Sequence, residues 1–314
     1  MASNDASGRV TVLLHPPFDP LPGLVQKLEE RYTVLQWDEF NADSRHKVSA
    51  LVCSRKVDAR VLDSMPHLRI IFNTGIGVDN VDIDLCRQRG IRVCNAVVDS
   101  VVADTADLAI LLMLAVLRRI TSAWRFVQDG LWCRGPFPLA KKASGIKVGI
   151  VGFGRIGFAV AKRATALNNI VSYYGPNKKQ NVPYTYYSNL VDLATDSDVL
   201  IITCPLSNDT EHLIGKDVLN ALGPSGILIN VARGSIVNEL ELIKALKEKR
   251  LGAAGLDVFE SEPHIAPDLI HLDNVVLSPH VGASTWESRV AVGQLALDNF
   301  DAFFSGKPLL TPVV

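Results

Sequence analysis

Short apolar runs, each long enough for a strand, alternate almost throughout this chain with longer stretches that read as helices. That rhythm predicts parallel sheets, because parallel strands must be joined by crossovers. Residues 10–14 read as a first strand, closed by His15-Pro16-Pro17, and residues 21–31 as a helix with Pro22 in its first turn. Strands are predicted at 50–53, 70–72 and 91–94, and a helix at 81–90 capped by Gly90. Residues 104–119 read as a long apolar helix ending in Arg118-Arg119, since basic side chains suit a helix C-terminus. A looser stretch, 130–142, carries Trp132, Pro136, Phe137 and Pro138.

A second α/β unit starts at Lys147, with strands predicted at 147–151, 170–174, 199–203, 227–231, 255–258 and 275–277. Helices are expected at 158–164 and 239–249. The last helix, 286–304, is long enough to cross back onto the first unit. The expected fold is therefore α/β, with two Rossmann-like or flavodoxin-like domains built on parallel sheets and the active site in the cleft between them. Residues 1–100 and 286–314 would form a discontinuous substrate-binding domain, and residues 101–285 the dinucleotide-binding domain.

Composition narrows the class. A chain of 314 residues with 48% hydrophobic and 21% charged residues is globular and roomy enough for two domains. A net charge of −1 advertises neither nucleic acid nor an anionic membrane as partner. The five cysteines, Cys53, Cys86, Cys94, Cys133 and Cys204, are scattered without a CxxC pair, which suits a reducing compartment and predicts no metal site. Residues 1–7 show no signal-peptide pattern, residues 108–117 are too short an apolar run to span a bilayer, and the C-terminus is not a Ser-Lys-Leu address. The expected location is the cytoplasm.

Two constellations carry chemistry. The run 147–151 leads straight into Gly152-Phe153-Gly154-Arg155-Ile156-Gly157 and then into a helix. A strand, a GxGxxG turn and a helix in that order form a dinucleotide fingerprint. Gly152 permits the tight turn, Gly154 lets backbone approach a pyrophosphate, and Gly157 lets helix and strand pack closely, with the helix N-terminus facing the phosphates. After the next strand an NAD site usually carries Asp or Glu; this chain has Gly175-Pro176-Asn177-Lys178-Lys179. The missing acid and the two lysines predict NADPH in preference to NADH.

The second constellation is spread over Val231-Ala232-Arg233-Gly234, Phe259-Glu260-Ser261-Glu262-Pro263 and Ser278-Pro279-His280-Val281-Gly282. An arginine can hold a carboxylate through paired hydrogen bonds. A histidine can give a proton to a carbonyl oxygen, and a glutamate can keep that histidine protonated. Such equipment suits reduction of a 2-oxo acid. Glu260, His264 and His271 read as solvated. Cys53, Ser54 and Arg55 fall where the first domain should meet substrate, and Arg55 is expected either to favour a polar or phenolic acid or to lie in solvent.

In motif order the chain resembles the D-isomer-specific 2-hydroxyacid dehydrogenase family over nearly its whole length: the glycine turn, Val-Ala-Arg-Gly, Leu256-Asp257-Val258-Phe259, Glu262-Pro263 and Pro279-His280. Arg118-Arg119, Ala221-Leu222-Gly223 and residues 304–312 make it most similar to the plant hydroxyphenylpyruvate reductases and the cytosolic glyoxylate/hydroxypyruvate reductases. The resemblance implies Arg233, Glu262 and His280 as catalytic residues and Asp257 as the contact of the nicotinamide carboxamide. It implies substrate-carboxylate binding by the backbone N–H groups of Ile76 and Gly77, in the loop Thr74-Gly75-Ile76-Gly77-Val78-Asp79. Substrate contacts are then expected from Cys53, Ser54, Ile76, Gly77, Arg233 and His280. Cofactor contacts are expected from residues 152–157, Asn177, Lys178, Lys179, Cys204, Pro205, Val231, Ala232, Arg233, Asp257, His280 and Gly282. Family members usually form homodimers, and Trp132 matches a tryptophan that in some members reaches toward the partner's site. Trp286 is bulky for its place and is expected either to narrow the substrate pocket or to pack the last helix. A nucleotide-sensing corepressor shares the fold but usually adds extensions or basic segments that are missing here. The formate-oxidising branch carries Gln in place of the catalytic Glu.

Overall fold

The computed structural model describes residues 8–15 and 21–314. Pro16-Pro17, read above as closing the first strand, and residues 1–7, read for a leader, lie outside the described residues. The chain divides into two compact units, one taking the chain's two ends, up to Val101 and from Ala283 on, and the other Val102–Gly282.

The first unit contains β1 (Thr11–Leu14), α1 (Leu24–Glu29), β2 (Thr33–Gln36), β3 (Val48–Cys53), α2 (Ala59–Asp63), β4 (Ile70–Asn73), α3 (Ile83–Gln88) and β5 (Arg92–Asn95). Its five-stranded sheet runs β2-β1-β3-β4-β5 with every pair parallel, the flavodoxin-like order. The strands are continuous apolar runs because both faces are covered. Val12, Leu14, Ala50 and Val52 point into one core with Leu24 and Leu28. Leu13, Leu51, Cys53 and Ile71 point into the other with Leu62 and Cys86. Two helix starts differ from expectation. Gly23, at φ +72°, precedes α1, so Pro22 lies in the turn before the helix. The Asp82 carboxylate accepts from the Leu85 N–H (3.0 Å) and starts α3 two residues late.

The second unit contains α4 (Asp99–Leu117, all but its first turn), α5 (Ile120–Gln128), β6 (Lys147–Val151), α6 (Arg155–Ala166), β7 (Ile170–Tyr174), β8 (Thr185–Tyr187) and α7 (Leu190–Thr195). It continues with β9 (Val199–Ile202), α8 (Lys216–Leu222), β10 (Ile227–Asn230), α9 (Glu239–Lys247), β11 (Ala253–Leu256), α10 (Pro267–Ile270) and β12 (Val275–Leu277). The seven-stranded parallel sheet runs β12-β11-β10-β9-β6-β7-β8. Counted from β6, this is the Rossmann order with one added strand, and the order reverses between β6 and β9. Ligands gather at such a switch point, outside the carboxyl ends of the strands.

Helix α4 is longer than the sequence reading and stops at Leu117; Arg119 (φ +53°) opens α5 rather than closing α4. Nineteen apolar-rich residues would suit a membrane span by length and composition, yet half of the span is buried. Ala109, Leu112, Met113 and Val116 pack into the same core as Val148, Ile150 and Ile201. Helix α5 was hidden in the sequence because it buries none of its residues. The chain returns to the first unit with α11 (Trp286–Phe304), capped by Thr285 and seated through Val292, Ala296, Leu297 and Phe300.

Candidate active site

At the end of β6 the chain turns through Gly152, held at φ +91°. A side chain there would overlap the Cys204 backbone, and one at Gly157 would overlap the Gly152 carbonyl. The Thr203 hydroxyl donates to that same carbonyl (2.6 Å), tying the end of β9 to the turn. Gly154 faces open space, and α6 starts from it with no side-chain cap. The first-turn N–H groups and the positive dipole end of a twelve-residue helix are thus available to phosphate. The turn fits a dinucleotide. Asn177, Lys178 and Lys179 are exposed beyond β7, in a turn pinned by Tyr186 Oη donating to the Gly175 carbonyl (3.1 Å).

The three sequence-separated motifs of the second unit meet at the ends of neighbouring strands. β10 ends in Asn230, whose buried side chain locks the next turn. Its Oδ1 accepts from the Ala232 N–H (3.0 Å), and its Nδ2 donates to the Arg233 carbonyl (2.9 Å). Gly234 must be glycine, because a Cβ would overlap the Phe259–Glu260 backbone. Arg233 Nη1 donates to the Ala232 carbonyl (2.8 Å).

Asp257, 1% exposed, follows β11 and organises the loop after β12. It accepts from Ser278 Oγ (2.6 Å) and from the N–H groups of Val281 (2.9 Å) and Gly282 (2.8 Å). His280 sits in that loop at φ +53°, its N–H donating to the Asp257 carbonyl (2.8 Å). Its Nδ1 meets Glu262 Oε2 at 2.7 Å, while Glu262 Oε1 accepts from the Phe259 N–H (2.9 Å). The Glu262 hydrogen bond raises the His280 pKa against the opposing pull of burial and Arg233. For Glu262, burial pushes upward, but the His280 bond and charge, the Phe259 N–H and Arg233 together hold the carboxylate below its ordinary range. Asp257 is raised, chiefly by burial. Glu260 pairs instead with His212 Nε2 (2.7 Å), so it is partnered where a solvated residue was expected. His264 and His271 are exposed, as expected.

In the first unit, Ile76 and Gly77 lie in a half-buried loop after β4. Ser54 is half-buried beyond β3. Cys53 is 0% exposed, in the core with Leu51 and Ile71, and burial pushes its thiol pKa up. Cys204 is likewise buried, with its backbone and Cβ set against Gly152. Val231 and Ala232 are buried as well. Trp286 is 71% exposed at the start of α11 and does not pack the helix. A groove of about 750 Å³ in the second unit opens at the starting ends of β10, β11 and β12, lined by Leu117, Leu246, Leu251 and Val275. That is the edge opposite the glycine turn, and it carries none of the residues above.

Asn230 and Thr203 escaped the sequence reading. The available signal was a polar residue closing an apolar strand run, which marks a side chain held at a strand end.

The family profile of the D-isomer specific 2-hydroxyacid dehydrogenase NAD binding domain matches residues 110–282. The chain belongs to this family. It is 46% identical over 299 residues to the hydroxyphenylpyruvate reductase of Plectranthus scutellarioides, covering 93% of this chain and 95% of that protein. A glyoxylate/hydroxypyruvate reductase A of Arabidopsis thaliana matches to the same extent, 46% over 299 residues, with the same 93% and 95% coverage. Among solved structures, the NADPH-dependent glyoxylate/hydroxypyruvate reductase of Sinorhizobium meliloti, in complex with NADP and malonate, superposes with a TM-score of 0.92. It is 37% identical, over 98% of this chain and 97% of that one.

Proposed function

We propose that this protein reduces a 2-oxo acid to the 2-hydroxy acid, using NADPH in preference to NADH. The observation that carries the proposal is the Glu262–His280 pair at 2.7 Å, in the unit that also holds Arg233 and the dinucleotide turn. When bound, the cofactor supplies the hydride that reaches the carbonyl carbon. His280 carries the matching proton. With Nδ1–H donating to Glu262, the Nε2–H of the imidazolium is left to protonate the carbonyl oxygen as charge develops there. Glu262 fixes the ring and keeps it charged. Arg233 supplies the fixed cation for the substrate carboxylate, and the N–H groups of Ile76 and Gly77 are proposed to bind the same group. Hydride and proton together convert the carbonyl to a secondary alcohol.

Residues 152–157 would hold the pyrophosphate, with Cys204, Pro205, Val231, Ala232 and Gly282 lining the site and Asp257 at the nicotinamide carboxamide. Asn177, Lys178 and Lys179, with no acid among residues 175–181, suit a 2′-phosphate. The bound NADP of the Sinorhizobium meliloti relative supports that choice. Relatives that act on hydroxyphenylpyruvate, glyoxylate and hydroxypyruvate support those three acids as substrates. The unpaired cysteines support a cytoplasmic location. A homodimer is proposed from α5, where Ile120, Trp124 and Val127 form an exposed apolar face, with exposed Trp132 and Leu139 just beyond.

The test is NADPH consumption with 4-hydroxyphenylpyruvate, hydroxypyruvate and glyoxylate side by side, repeated with NADH. Turnover of any of them supports the reductase. A higher kcat/KM with NADH would overturn the cofactor choice, and no turnover at all would leave a nucleotide-sensing protein.

A further inference from the structure

Two strands of the first unit end in asparagine, Asn73 on β4 and Asn95 on β5, and both side chains are spent on one loop. Asn73, 2% exposed, donates from Nδ2 to the carbonyls of Gly75 (3.1 Å) and Gly77 (2.7 Å). Its amide orientation is fixed from the other side, where Oδ1 accepts from Asn80 Nδ2 (2.9 Å) and from the buried Cys53 thiol (3.8 Å). Asn95 Nδ2 donates to the carbonyl between them, that of Ile76 (2.8 Å). Three successive carbonyls are therefore drawn onto side-chain amides. The Gly75 carbonyl also accepts from the Ala96 N–H (3.1 Å).

A trans peptide is planar and points its N–H opposite to its C=O. These peptides are trans. Holding the carbonyls of residues 75, 76 and 77 therefore aims the N–H groups of Ile76, Gly77 and Val78 the other way. Among the described residues those three N–H groups have no protein acceptor, and all three residues are half-exposed. Successive amides turned to one side form a concavity for an anion.

We infer that Asn73 and Asn95 are positioning residues that hold the loop after β4 as a rigid three-amide receptor for the substrate carboxylate, with Val78 as its third donor. The inference rests on the proposed 2-oxo acid reduction for its substrate, but the receptor itself can be tested without turnover.

The experiment compares the whole wild-type protein with Asn95→Ala and Asn73→Ala. Asn95→Ala is the gentler change, because the backbone ties of Asn95 to Thr311 survive it. Each variant is expected to raise KM for the 2-oxo acid about five- to tenfold, the worth of one lost orienting hydrogen bond. kcat should stay within about twofold and the Kd for NADPH should not move, as when binding shared by ground and transition states is removed. General loosening of the fold would move all three together. Independently, malonate is expected to slow amide hydrogen exchange in residues 76–78 of the wild type and to do so less in Asn95→Ala. Unchanged KM and unchanged malonate protection in Asn95→Ala would overturn the inference, as would a wild-type loop that malonate leaves unprotected. If the wild type reduces no 2-oxo acid, the proposed function fails, and the malonate comparison still decides the receptor.

Discussion

His280 adopts a backbone conformation that a side chain with a Cβ rarely takes, φ +53°, and the cause is Asp257. The Asp257 carbonyl and carboxylate take the N–H groups of three consecutive residues, 280, 281 and 282, which folds the loop tightly and leaves the imidazole facing Glu262. His280→Gln is expected to lower kcat by about two to four orders of magnitude with little change in KM, because the proton is needed mainly in the transition state. Steady-state kinetics decide this; an unchanged kcat removes the assigned role. The pH dependence follows from the same pair. The His280 pKa is raised, foremost by the Glu262 hydrogen bond, so the proton is held to higher pH than on an ordinary histidine, and reduction should decline as pH rises past that raised value. The stabilisation from the pair follows the same sign: complete below the ordinary histidine range, lost as pH climbs through the raised pKa. Glu262→Gln removes the largest raising influence, so the alkaline limb of kcat/KM is expected to move to lower pH. A limb that stays in place would show that Glu262 does not hold the proton there.

At the scale of elements, the glycine turn shows how local sequence and long-range packing agree. The sequence required glycine at 152 and 157 for turn and packing, and the structure supplies the obstructing atoms, the Cys204 backbone and the Gly152 carbonyl. Gly157→Ala should therefore separate α6 from β6 at a cost of about 1–3 kcal/mol. The expected readout is a lower Tm together with weaker NADPH binding by fluorescence titration. The loop after β7 makes a separate prediction. Lys178→Ala with Lys179→Ala should lower kcat/KM for NADPH and leave that for NADH nearly unchanged; equal loss with both cofactors would mean that the lysines do not read the 2′-phosphate. Strands β6, β7 and β12 and helix α11 lie where their apolar patterns put them. Helix α5 and the short edge strands β2 and β8 were not legible, because half-buried or solvent-facing elements leave no continuous apolar run.

For the whole molecule, the exposed face of α5 sets the assembly prediction. Ile120, Trp124 and Val127 recur at helical spacing and are exposed together. Trp124→Glu is expected to reduce the dimer to monomer, measured by light scattering after size exclusion. A monomeric wild type would remove the proposed homodimer. The terminal helix α11 covers the sheet of the first unit through Val292, Ala296 and Phe300.

What the sequence by itself determined was whatever depends on neighbours along the chain. The strand–glycine–helix fingerprint, the missing acid after β7, the alternation that demands parallel sheets, and the motifs around Arg233, Glu262 and His280 are all local. The tertiary structure decided which side chains spend their hydrogen bonds on each other. Glu262 meets His280, and Glu260 pairs with His212. Cys53 goes into the core, Asp257 braces the His280 loop, and Asn73, Asn95 and Asn230 brace the loops that follow their strands. The reason is physical. A buried polar group must find a partner, and that partner is set by which strands lie side by side: β4 beside β5, which brings Asn95 to Ile76, and β10 beside β11, which brings Gly234 against Phe259.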